Sequence, residues 1–165
     1  MINQLGLNTR IPYHFLFYSL AFGGSAFYSF IVSPLVFKKL TREEFSNLQN
    51  KVFPTYFQGQ ILSPIIIGLT TPLKWCPFSL GLLALSTIGG TLNYLWLLPK
   101  CQQIKEERNK YLADKLGDEN SEGYKALSKQ FGKYHGISTL INIISIFSLG
   151  IYGVTLANGL TKIVA

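Results

Sequence analysis

Few groups in this 165-residue chain can hold a metal, move a proton or attack an electrophile: two histidines, His14 and His135, two cysteines, Cys76 and Cys101, and eight carboxylates. The carboxylates all fall within residues 43–44 and 106–122, so the long apolar runs contain no acid. No CxxC pair and no Cys/His spacing suited to zinc is present. The pattern offers no nucleophile–base pair and no ligand set. It predicts no catalytic residue, no metal and no cofactor, and a protein that is not an enzyme. The remaining chemistry is hydrogen bonding by neutral side chains set in apolar sequence: Gln58, Gln60, Asn93, Ser138 and Asn142, with His135 beside them.

The elements that carry those side chains follow from composition. Only 14% of residues are charged against 48% hydrophobic, where a water-soluble domain carries about 25% charged residues. The mean hydropathy is +0.26. These values exclude an ordinary soluble globule, a disordered tail and a disulfide-stapled secreted module. A helix crossing a bilayer needs roughly 20 mostly apolar residues, and four stretches qualify: 11–37, 52–73, 75–98 and 136–161. None alternates apolar with polar residues as the strands of a membrane barrel do. The expected fold is an all-α polytopic membrane protein, a single transmembrane domain with four spans bundled together, whose intervening loops 38–51 and 99–135 form amphipathic helices. The first run is too long for a signal-peptide core of about 7–15 residues. It is expected to act as a signal anchor, with residue 1 retained.

Charge orients the bundle. Four spans place both termini and the turn at residue 74 on one side, with Arg10, Lys74 and Lys162 as its basic residues. The other side carries Lys38, Lys39, Arg42 and Lys51 in one loop, and Lys100, Lys105, Arg108, Lys110, Lys115, Lys125, Lys129 and Lys133 in the next. Twelve against three puts both loops in the cytosol and both termini in the lumen or exterior. The formal charge of +7 is thus mainly a topology signal. Basic residues alternate with acids instead of gathering on one face, and nucleic acid is not an expected partner. Cys76 and Cys101 fall at opposite ends of one span, out of disulfide reach.

In loop 38–51, Thr41 followed by Glu44 makes a capping box, and Leu40 with Phe45 fits a hydrophobic staple. The segment reads either as a helix lying among the headgroups or as a capped connector. Pro54 suits the first turn of span two. Loop 99–135 predicts two helices split at 117–123. One presents Ile104, Tyr111, Leu112 and Leu116, the other Tyr124, Leu127, Phe131 and Tyr134. Packing of these faces on protein is favoured over lipid-surface binding, because 8 basic and 6 acidic residues nearly balance in this loop.

Within the spans no Asp, Glu, Lys or Arg lies deep, so a carboxylate proton relay has no candidate. His14 and His135 belong to opposite ends of the bilayer, and each is expected to be an interfacial hydrogen-bonding residue. The amides converge instead. Gln58 and Gln60 on span two, Asn93 on span three, and Ser138 and Asn142 on span four share one depth in the cytosolic leaflet, with His135 nearer the cytosol. Structural glue between helices is favoured, and a polar pocket is the alternative. Small residues at Ser19, Gly23 and Ala26, at Ser86 and Gly90, and at Gly150, Gly153 and Ala157 permit close helix contacts, within the bundle or between copies.

The run from His14 through FGGSAFYSF to FKKL resembles the transmembrane protein 205-like family of DUF4149-type four-span proteins. So do FSNLQNKVFPTYF (45–57), LNYLWLLPK (92–100) and YKALSKQFGKYHGISTLIN (124–142). The chain departs from that pattern with Phe22 and Phe27 where tryptophan is common, and with a shorter region 101–123. The resemblance implies four spans in a eukaryotic endomembrane, but no defined activity. It directs attention to Gln49, Pro54, Tyr56, Trp96 and Pro99, and again to Asn93, His135 and Asn142. The expected role is a scaffold, adaptor or partner-stabilising subunit of the endoplasmic reticulum or another endomembrane, with a mitochondrial membrane as the alternative location. Its expected partners are the lipid bilayer and either other membrane proteins or further copies of itself. The alternative function is a small-solute transporter or lipid-binding protein using the polar pocket.

Overall fold

The computed structural model describes residues 7–164; the expected retention of residue 1 lies outside them. Four helices are long and apolar enough to cross a membrane. They are α1 (Ile11–Lys39), α2 (Arg42–Thr70) and α3 (Pro77–Ala113), followed by α4 (Glu122–Val164). No strand occurs among the described residues. The chain is an all-α, multi-pass membrane protein. Its outer surface is what a bilayer demands, with Leu16, Leu20, Leu69, Leu95, Phe147 and Val154 all exposed. Trp75 and Trp96, near the two ends of α3's apolar part, are exposed as well, as interfacial tryptophans are.

The loop segments are not separate helices. The Thr41 hydroxyl accepts from the Glu44 N–H at 3.2 Å, and the Glu44 carboxylate accepts from the Thr41 N–H at 2.9 Å. The capping box therefore starts a helix at Arg42 that runs unbroken to Thr70. With no breaker in REEFSNLQNKVF, Pro54 falls in the helix interior and not in a first turn. Phe45 packs edge-on against Phe37 at 5.1 Å between ring centres, while Leu40, the expected staple partner, is exposed. The two expected helices of 99–135 are likewise extensions of α3 and α4, and they pack against each other. Residue periodicity reveals a face, but it does not reveal whether a helix continues into its neighbour.

Two π-helical turns interrupt the spans, Tyr28–Val32 in α1 and Asn93–Leu97 in α3. They have a common cause. The Ser33 N–H bonds to the Tyr28 carbonyl and the Leu98 N–H to the Asn93 carbonyl, and in each case the next residue is proline, Pro34 or Pro99. Proline has no N–H for the helical ladder, and its ring collides with the carbonyl four residues back. A wide turn just before it relieves both problems.

Around the bundle, α1 packs on α2 and α4, and α3 packs on α2 and α4, so α2 and α4 stand diagonally. In the half nearest the 71–76 connection the centre is apolar: Tyr18, Ile67, Leu83, Leu149, Tyr152 and Leu156 form the core cluster. Two glycines of α4 bring α1 close. A Cβ at Gly153 would collide with the Tyr18 hydroxyl, and one at Gly150 would lie 3.2 Å from the Phe22 ring. Gly90 does the same for α3 and α2, its Cβ direction ending 3.1 Å from the Gln60 backbone. Gly23, by contrast, has nothing within 4 Å.

Candidate functional site: a polar network at the bundle centre

The other half of the bundle has a hydrogen-bonded network where the apolar core would otherwise continue. Asn142 on α4 is its hub. Its Oδ1 accepts from the Tyr56 hydroxyl at 2.9 Å and from Gln60 Nε2 at 2.8 Å, both across the diagonal on α2. Its Nδ2 donates to Ser29 Oγ at 3.0 Å, and Ser29 is also 2.9 Å from the Tyr56 hydroxyl. Ser29 belongs to the π-turn of α1, where the ladder is already widened. The same turn supplies Tyr28, which donates to Gln49 Oε1 at 2.8 Å, and Gln49 Nε2 reaches Ser33 at 3.2 Å. Buried amides thus bind three helices together.

Asn93, at the start of the second π-turn, is fully buried, and its Oδ1 accepts from Ser138 Oγ at 2.6 Å. This joins α3 to α4. Two atoms in this region are buried without a partner, Asn93 Nδ2 and Gln60 Oε1, a donor and an acceptor. The close approach at Gly90 sets their two helices against each other one turn away from Asn93. No carboxylate, Lys or Arg belongs to the network, so the open donor and acceptor match the functions of a neutral hydrogen-bonding partner. Among the described residues no three His, Cys, Asp or Glu side chains stand close enough to hold a metal ion.

A second polar group closes the apolar half of the bundle at its outer end. His14 is 3% exposed. Its Nδ1 is 3.0 Å from Thr70 Oγ1 and its Nε2 is 3.2 Å from the Tyr152 hydroxyl. The Tyr18 hydroxyl donates to the Leu149 carbonyl at 3.1 Å. The hydrogen-bonding role expected of His14 is present, though in the bundle interior. Its partners Thr70 and Tyr152 have no signal in the sequence, because nothing in the spacing of residues 14, 70 and 152 marks them as neighbours.

Of the six residues expected to converge, four bond one another between helices, as two separate pairs: Gln60 with Asn142, and Asn93 with Ser138. Gln58 joins neither pair. It lies two residues from Gln60, on nearly the opposite face of α2, where it is exposed and bonds Tyr94 at 2.8 Å. His135 does not join either. Three residues before Ser138, it points away from the network and stacks on Phe131 at 5.5 Å. Among the motif residues, Gln49 and Tyr56 are members of the network, Pro54 and Pro99 shape the helices, and Trp96 packs edge-on against Tyr134 at 6.4 Å. Ser29, Tyr28 and Ser33 were missed; the proline at 34, which forces the π-turn, is the signal that could have found them. Cys76 and Cys101 are free thiols at the two ends of the apolar part of α3.

Comparison with known proteins places this geometry in a family. The family described as a domain of unknown function, DUF4149, matches residues 16–110, more than half the chain and most of the network. Over 91% of this chain and 93% of its own length, transmembrane protein 205 of Danio rerio is 28% identical. Xanthocillin biosynthesis cluster protein D of Aspergillus fumigatus is 27% identical over 93% of each chain. An uncharacterized protein of Aquifex aeolicus is 34% identical over 80% of this chain and 86% of its own. No solved structure matches. The chain belongs to the DUF4149 family, in agreement with the resemblance carried by its motifs.

Proposed function

We propose that this DUF4149 protein is a non-enzymatic integral membrane protein that acts through its surface, as a scaffold, adaptor or partner-stabilising subunit. The carrying observation is that three of the four hydrogen-bonding positions of the Asn142 carboxamide are taken within the bundle, by Tyr56, Gln60 and Ser29. In lipid, buried polar groups seek partners on neighbouring helices, and bonds that join three helices in this way are glue. The membrane in this reading is the endoplasmic reticulum or a related endomembrane, with both termini lumenal; the excess of basic residues in the 38–51 and 99–135 segments supports that orientation. Purification from native membranes with a stoichiometric partner at each repetition tests the reading. Solute transport by the isolated, reconstituted protein would defeat it.

A second reading rests on the two unpartnered atoms, Asn93 Nδ2 and Gln60 Oε1. A buried donor and a buried acceptor left open are costly, and a small neutral ligand between them would remove that cost. In this version the bundle carries or senses such a molecule. Mass spectrometry of the purified protein should then find a bound small molecule that an Asn93→Ala protein lacks.

A further inference from the structure

Outside the polar network, the charge with the least provision is Arg108. Its guanidinium carbon lies 5.3 Å from the Tyr124 ring centre and 5.4 Å from that of Phe131, so two rings of α4 clamp it. His135 stacks beneath Phe131 at 5.5 Å and an interplanar angle of 8°. The Arg108 Nε is buried without a partner. Among the described residues the one ion pair is Lys125 with Glu122, and Glu107, next in the chain to Arg108, accepts from Gln103. Lys105, one turn earlier on α3, is near enough to feel the Arg108 charge. Among the described residues no carboxylate lies within ion-pair distance of either cation, although Glu106 is near enough to act on Lys105. Arg108 is held rigidly by aromatic contacts.

Their depth narrows what the anion is. The Asn93–Ser138 bond fixes the register of antiparallel α3 and α4. At 1.5 Å per residue, Leu98, where the apolar part of α3 ends, lies about 7 Å beyond that level, Phe131 about 10 Å and Tyr124 about 21 Å. The guanidinium between the two rings is then on the order of 10 Å outside the hydrocarbon edge, a few Å beyond a headgroup layer roughly 5–8 Å deep and facing its aqueous side, within reach of a projecting headgroup. Guanidinium is the group suited to two-pronged contact with phosphate oxygens. We propose that Arg108, clamped by Tyr124 and Phe131 and aided by Lys105, binds the phosphate of an acidic phospholipid headgroup.

The test uses the full-length protein purified in neutral detergent, with dioctanoyl phosphatidic acid, dioctanoyl phosphatidylcholine and inorganic phosphate as probes. Phosphatidic acid should bind saturably, about ten-fold tighter than phosphatidylcholine, a difference of the size that one charge-assisted contact supplies. Arg108→Gln should abolish that preference, Lys105→Gln should weaken it about three-fold, and Lys162→Gln at the far end should leave it intact. Should Arg108→Gln fail to fold, Arg108→Lys keeps the charge, loses the fork, and should still lower the preference several-fold. Equal affinity for the two lipids, or an undiminished preference in both Arg108 variants, overturns the proposal. Competition by inorganic phosphate as effective as the lipid itself also overturns it, and gives the site to a soluble phosphate compound.

Discussion

The Asn142 side-chain nitrogen donates to the hydroxyl of Ser29 at 3.0 Å, across 113 residues of chain. This bond couples the hub of the network to the π-turn of α1. Pro34 forces that turn, and the turn brings Tyr28, Ser29 and Ser33 to the partners they share. A backbone irregularity and a half-buried amide thus act as one device, which fixes where α1 docks on α2 and α4.

Replacing Asn142 with Leu removes three hydrogen bonds from the centre of the bundle. At roughly 0.6–2 kcal/mol per bond in a membrane interior, the loss should be about 2–6 kcal/mol. A lower melting temperature in detergent and reduced abundance are expected, read by fluorescence-detected size exclusion. An unchanged melting temperature would show that the network does not hold the bundle.

Close packing of α1 on α4 depends on Gly153. An added methyl group there meets the Tyr18 hydroxyl and must displace the ring, breaking its bond to the Leu149 carbonyl. Gly153→Ala should therefore destabilise by about 1–3 kcal/mol, as overpacked cores do. Gly23→Ala, where nothing lies within 4 Å, should be neutral or slightly stabilising. Equal effects of the two substitutions would contradict the observed packing.

Both ring nitrogens of His14 have partners, Thr70 on α2 and Tyr152 on α4. His14→Ala should cost about 1–3 kcal/mol through the two hydrogen bonds it removes; Thr70 and Tyr152 keep their bonds to the Ile66 carbonyl and Thr71. The site and the Asn142 network lie in opposite halves of the bundle, so the double variant His14→Ala with Asn142→Leu should show additive losses. A coupling above about 0.5 kcal/mol in thermal or chemical denaturation would mean that the two halves respond as one unit.

The four spans and the Thr41 capping box were legible because each is a local matter of composition and spacing. The network was legible in depth but not in direction. Gln58 and Gln60 share a level, yet consecutive helical residues turn by about 100°, so only one of the two can face the centre. His135 shares a face with Ser138 but lies one turn further toward Tyr124, where it stacks on Phe131 instead of reaching Asn93. Ser29 was invisible among the other hydroxyls of the spans because its importance comes from the turn in which it sits. The continuity of α2 across 51–52 was hidden by the change from charged to apolar sequence. That change marks a membrane boundary and leaves the helical ladder intact.

Orientation follows from the basic residues and can be measured directly. A glycosylation acceptor fused to the C-terminus should be modified, and one inserted at 117–123 should not. An impermeant maleimide applied to sealed, cytosolic-side-out vesicles should label Cys101 and spare Cys76. Labels in the opposite pattern would reverse the topology.

Asn93 separates glue from pocket by energetics alone. In the bundle its side chain makes one bond, from Ser138, and leaves a buried donor without a partner. Asn93→Leu therefore forfeits one hydrogen bond of roughly 0.6–2 kcal/mol. It also removes an unsatisfied group that costs about 1–3 kcal/mol. The two effects nearly cancel, so Asn93→Leu should shift the melting temperature far less than Asn142→Leu does. If instead the two variants lose comparable stability, the Asn93 nitrogen has a partner in the working protein that the bundle does not supply. The polar-pocket reading would then prevail. Gln60→Met would confirm it by the same logic, because removing the open acceptor should release the same occupant.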